Sequence, residues 1–222
     1  MIHVYAFVSD NLALDGLRGL DDAELDVVAC GALYAVVSFH EAAPASDQSQ
    51  VLAHGRVVEA AARRVATLPV RFGSRHPDLA GLVAAVSAQE RELADRLRTV
   101  RGHVEFAVRA PVPAVPVAPP SEQPDAGPGR SYLQGRLAIE RAHAAARDEA
   151  RQRLETVVRP LTPKASRTTS VEGPRGPEIC YLVRADVAET FGATAATLCD
   201  GTDLVLVGPW APYTFASEAH GA

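Results

Sequence analysis

Apolar residues fall in short runs along most of this chain, and the runs break at glycine, proline or aspartate. Residues 2–8 (IHVYAFV), rich in β-branched and aromatic side chains, predict a strand. Residues 12–20 predict a short segment, either helix or loop. Residues 25–30 and 33–39 predict two strands joined as a hairpin at Gly31. With Asp47 or Ser46 as N-cap, Val51, Val58, Ala62 and Val65 predict an amphipathic helix running to Thr67, with Leu52 and Ala61 alongside. Residues 70–73 (VRFG) predict a short strand. Asp78 then caps a helix striped by Leu79, Leu82, Val83, Val86, Leu93, Leu97 and Val100. Gln89 and Glu90 interrupt this stripe. A partly exposed turn is favoured there over a buried carboxylate, because Glu is seldom buried without a partner.

Residues 103–109 (HVEFAVR) alternate as a strand, with Val104, Phe106 and Val108 on one face and Glu105, Ala107 and Arg109 on the other. Residues 111–129 hold seven of the sixteen prolines and predict an extended, semi-rigid segment. Ser131 caps a long helix to Val158, with Leu133, Leu137, Ala144, Ala145, Leu154, Val157 and Leu161 on its apolar face. Glu149–Arg153 and Glu155–Arg159 are expected as i,i+4 pairs. An edge strand at 164–171, a turn at 172–177 and a buried strand at 179–183 follow. Asp186 and Glu189 resemble a capping box before a further helix. A last strand, 204–207, meets Gly208 and Pro209, residues suited to a sheet edge.

From residue 103 on, the order is βαββαβ, the split βαβ plan of a ferredoxin-like fold. The first half approximates the same plan with an irregular first connection. The expected fold class is α/β (α+β), with two domains, each ferredoxin-like or a variant of it, carrying long helices on mixed or antiparallel sheets. The expected boundaries are 1–102 and 103–222, the second domain including the Pro-rich segment 111–129 and the helix 131–158.

Composition narrows the partners. Among 222 residues, 47% are apolar but only 5% aromatic, so the core is built mainly of Ala, Val and Leu. The net charge is −5, and Lys164 is the only lysine. No basic footprint of a nucleic-acid binder stands out. Cys30, Cys180 and Cys199 are far apart and without CxxC spacing, so they read as buried thiols. The opening MIHVYAFVSD does not resemble a signal peptide, and no apolar run is long enough to span a membrane.

No GxGxxG, GxxxxGK[ST] or GxSxG motif occurs. The seven histidines (His3, His40, His54, His76, His103, His143 and His220) show no metal-ligand spacing and read as satisfied or solvated. Arg63–Arg64, and Arg71 with Arg75, are local basic pairs; for Arg71, on a predicted strand, anchoring a neighbouring carboxylate is favoured over binding an anion. Two classes of function remain. One is a non-catalytic interaction protein; the other is a small-molecule-binding or regulatory ferredoxin-like protein. A thermal shift with a nucleotide, amino acid or metal separates them.

Four stretches carry a family resemblance: LPVRFG at 68–73, GRSYLQGR at 129–136, ICYLVR at 179–184 and, above all, GPWAPYTF at 208–215. In this order they resemble the gas vesicle protein F/L family, over nearly the whole chain. The family pattern at the last is close to G-P-W-P-P-Y-[ST]-F, so Ala211 stands where proline is usual. The resemblance implies a non-enzymatic accessory or minor structural protein of gas vesicle assembly. It would be located with gas vesicles in the cytoplasm, binding the small hydrophobic shell subunit and other accessory proteins and limiting shell-protein aggregation. It implies no cofactor, nucleic acid, membrane or small-molecule substrate. Pro69, Gly73, Tyr132, Leu133, Gly208, Pro209, Trp210, Tyr213 and Phe215 are expected as structural motif residues. Trp210, Tyr213 and Phe215 are expected to cover the alanine-rich long helix rather than to bind a partner. Arg71, Phe72 and Arg75 form the candidate protein interface.

Overall fold

The computed structural model describes residues 1–113 and 128–217, with side chains inside the long helix described from residue 133 on. The chain folds into two compact units. One comprises Met1–Glu105, Leu182–Ala188 and Pro209–Ala222; the other comprises Phe106–Tyr181 and Glu189–Gly208. The sequence pattern suggests a single cut at 102/103, whereas these units interleave along the chain.

The first sheet begins with β1 (Ile2–Val8), almost wholly buried. Burial on both faces explains why its apolar residues form a run and not a clean alternation. The stretch after it is a loop with one 3-10 turn, Leu20–Asp22. Leu20 is fully buried and its N–H donates to the Tyr5 hydroxyl at 2.8 Å. β2 (Asp26–Cys30) and β3 (Leu33–Phe39) form the expected hairpin, with Gly31 at φ +68°. β1 pairs antiparallel with β3.

α1 (Gln48–Ala62) starts at Asp47, whose carboxylate accepts from the Gln50 N–H at 3.0 Å. It stops five residues earlier than its pattern suggested, because Thr67 is taken into β4 (Thr67–Pro69) opposite Val8. Its buried face also differs from the expected stripe. Ala53, His54, Val57, Val58 and Ala61 are buried, whereas Val51 and Leu52 are exposed. The true stripe contains a histidine, which apolar periodicity passes over. The VRFG segment is a turn, not a strand. Ser74 N–H bonds to the Arg71 carbonyl, Gly73 lies at φ +89°, and the chain resumes pairing only in β5 (Arg75–His76), against Ile2 and His3.

The second predicted helix is two: α2 (Leu79–Ser87), capped by Asp78, and α3 (Glu90–Val100). The polar break at Gln89 and Glu90 is their junction. Glu90 is no idle turn residue, since its carboxylate accepts the Ala32 N–H at the hairpin tip, at 2.6 Å. The order of the first sheet is β2-β3-β1-β4, with β5 also on β1. This is the ferredoxin order, with a loop in place of the first helix.

β6 (His103–Arg109) is buried from Glu105 through Val108, so the predicted polar face is inside. The Pro-rich expectation at 111–129 falls largely on residues 114–127, outside the described residues. α4 (Pro128–Val158) is already helical before Ser131, which therefore is not its cap. Its apolar face is buried only in the second half, at Ala150, Leu154 and Val158, continuing to Leu161; Leu133 and Leu137 are exposed. The expected i,i+4 pairs give way to tertiary ones. Arg153 reaches Asp203 at 2.8 Å and Arg151 holds Glu172, with Asp148 as a further, i,i+3 partner within the helix.

β7 (Arg167–Gly173) and β8 (Gly176–Arg184) follow, then α5 (Ala188–Cys199), which starts after Asp186, a residue paired with Arg184 instead of capping. β9 (Val205–Trp210) ends the second sheet, ordered β7-β8-β6-β9, and a short helix, α6 (Tyr213–Ser217), follows it. With β6 counted first, this is the full βαββαβ order. Phe191 of α5 packs on Phe106 and Tyr181, with ring centroids 5.1 and 5.4 Å apart. Gly208 (φ +109°) and Pro209 are tolerated because β9 is an edge strand.

Candidate functional site

The chemistry-bearing residues of the first unit gather along β1. At its start, the Phe72 ring turns inward and packs against His3 and His54, with centroids 5.8 Å from each. Arg71 and Arg75 stay exposed. Of the candidate interface, the two cations are thus on the surface while the aromatic is half-buried. The exposed large side chains nearby in the sheet are Met1 and Phe39, 40% and 50% exposed, with Phe39 opposite Ile2.

Beneath this turn lies a buried polar chain. His54 Nε2 faces the Val70 carbonyl at 2.8 Å and must donate, so its Nδ1 is an acceptor. His3 Nε2 is 2.9 Å from that Nδ1 and is the donor. Burial, then the neighbouring His54, His40 and Arg75, push the His3 pKa down to about 4. Burial also lowers His54, against the opposing pull of the Val70 carbonyl. Tyr5 extends the set. Its oxygen accepts the Leu20 N–H and lies 2.8 Å from Ser38 Oγ, which is 2.7 Å from His40 Nε2. Passing the protons from Tyr5 to Ser38 to His40 satisfies every atom named. No local pattern signals this cluster, because His3 and His54 lie 51 residues apart.

At the other end of β1 the C-terminal motif docks. Ala211 belongs to the first unit's core with Tyr5, Val57, Val58 and Ala61, and the half-buried Tyr213 packs against it. Burial, with Glu59 adding, pushes the Tyr213 phenol up to about 12. The Ala211 N–H donates to Glu59 at 2.7 Å. A proline here has no such donor, so the departure from the family pattern adds a hydrogen bond. The Thr214 N–H and hydroxyl both donate to the buried Glu105 carboxylate, at 2.8 and 2.6 Å. Burial raises the Glu105 pKa, and these bonds partly offset the rise. The Trp210 indole N–H is sealed from solvent beside Glu105; it lies outside hydrogen-bond geometry yet also favours the charged carboxylate.

The motif's aromatic end, which the sequence pattern assigns to the long helix, packs through Ala211 and Tyr213 in the β1–α1 core. Phe215 is buried, Trp210 half-buried and Pro209 exposed. Pro69 sits in β4 opposite Ala6, Gly73 makes the turn, Leu133 is exposed, and the Tyr132 side chain lies outside the described residues.

In the same unit a cleft of about 660 Å³ opens beside the motif, lined by Asp10, Glu59, Arg63, Arg64, Arg101 and Trp210 among others. Among the described residues no three His, Cys, Asp or Glu side chains converge as a metal site requires, and no helix is long and apolar enough to cross a membrane.

Two antiparallel-type α+β sheets of ferredoxin order, the first closed by a C-terminal clasp, define the class of molecule. The family model described as gas vesicle synthesis protein GvpL/GvpF matches residues 1–217, and the chain belongs to that family. Two crystal structures share the fold. GvpF from Anabaena sp. PCC7120 matches with a TM-score of 0.71 at 16% identity, over 99% of both chains. GvpF from Microcystis aeruginosa matches at 0.72 and 15% identity, over 98% of this chain and 99% of that one. No curated protein sequence matches significantly. Family membership gives the protein a role in gas vesicle assembly.

Proposed function

We propose that this protein is a non-catalytic accessory component that binds the hydrophobic gas vesicle shell subunit, together with other accessory proteins, and keeps the subunit from aggregating before assembly. The surface is the turn carrying Arg71, Phe72 and Arg75. The observation that carries this is the pairing of exposed apolar and cationic groups about the first residues of β1. Phe39 lies opposite Ile2 on one side, while Arg75 lies opposite His3 on the other. Apolar side chains supply affinity for a hydrophobic subunit, and flanking cations set orientation and discourage self-association.

The test is co-expression of the shell subunit with the full chain. The subunit should stay in the soluble fraction with the wild-type chain and lose at least half of that solubility with Arg71→Glu/Arg75→Glu. Equal precipitation with and without the wild-type chain refutes the holding role; an unimpaired double variant refutes the surface. The full chain is required, because a fragment ending near residue 110 lacks the Ala211 and Thr214 contacts of its own unit.

A further inference from the structure

The cleft beside Trp210 has two cations with nothing to hold. Arg63 and Arg101 are exposed, and among the described residues neither side chain makes an ion pair or hydrogen bond. Arg64, by contrast, donates to the Ala13 carbonyl. The carboxylates of the cleft are engaged. Glu59 accepts the Ala211 N–H at 2.7 Å, and Asp10 accepts the Ser9 hydroxyl at 2.6 Å. Three arginines against two carboxylates make a locally cationic site in a chain whose net charge is −5. The rest of the wall includes Trp210, Pro209 and Pro212, which offer apolar surface at little cost in side-chain entropy.

From this charge complementarity and apolar wall we infer that the cleft docks an acidic peptide segment of a partner protein. Two of its carboxylates pair with Arg63 and Arg101, and an apolar side chain between them rests on Trp210. Guanidinium forks suit carboxylates in bidentate geometry. The site is separate from the Arg71–Arg75 turn. Ser9 and Thr67 mark it at the far end of β1, about 20 Å away along a seven-residue strand. Failure here leaves the shell-binding reading standing, and the reverse also holds.

Trp210 is the only tryptophan in the chain, so its emission reports on this cleft. The full-length protein is titrated with a capped nonapeptide repeating Glu-Leu-Glu, with its Gln-Leu-Gln counterpart, and with inorganic polyphosphate. The Glu peptide should change the emission saturably, more weakly as salt rises, and bind about tenfold less tightly to Arg63→Gln/Arg101→Gln. Arg71→Glu/Arg75→Glu should bind it like wild type. The inference fails if the wild type gives no saturable change or takes the Gln peptide equally well. It fails too if polyphosphate binds as tightly as the Glu peptide, or if losing both arginines changes nothing.

Discussion

His3 and His54 share one proton along their contact, and a second would set two N–H groups against each other. The folded His3 pKa, about 4, lies below the ordinary value of 6.5. The unfolded chain therefore binds this proton first. Stability is independent of His3 above about pH 6.5 and falls as pH drops through the window, losing about 3 kcal/mol by pH 4. Glu105 acts in the opposite sense. Its raised pKa favours the folded state at low pH, and that contribution is lost as pH rises through the folded value. Comparison with His3→Gln separates the two, because Gln keeps a donor for His54 and does not titrate. The stability difference between wild type and variant, from urea unfolding at pH 4, 5.5 and 7, should grow by about 3 kcal/mol toward neutral pH. Parallel curves would exclude the buried neutral histidine. Neither residue was legible as a partner in the sequence, since an apolar period cannot register a polar residue whose needs are met from 51 positions away.

Among the elements, the strands were read more faithfully than the helix ends. β1, β2, β3, β6 and β9 fall close to where apolar runs put them, because short runs bounded by Gly, Pro or Asp have few other uses. The helix limits moved where a neighbour claimed the residue, as β4 claims Thr67 from α1. The VRFG segment looked extended because Val and Phe favour strands; Gly73 at positive φ and the inward pull of Phe72 make it a turn. The β7–β8 hairpin rests on Gly176, which sits at φ +130° and would bring a Cβ to 2.1 Å from the Ala110 carbonyl oxygen. Gly176→Ala should therefore cost more than about 2 kcal/mol, since both the dihedral and a backbone atom oppose it. A urea midpoint equal to wild type would contradict this.

The two units of the whole molecule interleave in sequence, and the C-terminal motif folds with the N-terminal residues. A chain ending at Gly208 loses the Ala211–Glu59 bond, both Thr214–Glu105 bonds and the Phe215 ring. Glu105 is then buried without its donors, a costly state for a carboxylate. Amides in β1 and α1, far from the cut in sequence, should exchange with deuterium at least about tenfold faster in that truncated chain. Unchanged protection there would show that the motif serves only its own strand. The same arrangement divides GPWAPYTF: Ala211 and Tyr213 pack in the core of the first unit, while Trp210 lines the cleft.

The sequence by itself determined the βαββαβ order, the positions of the longer strands, the family and the absence of familiar nucleotide-binding and nucleophile motifs, because these depend on local period and on contiguous motifs. Only the tertiary structure decided that Phe72 turns inward, that His3 meets His54, that Glu105 serves Thr214 and that Arg63 and Arg101 share a cleft with Trp210. Each of those joins residues distant in sequence, and the burial and charge that give them meaning exist only after the chain has folded.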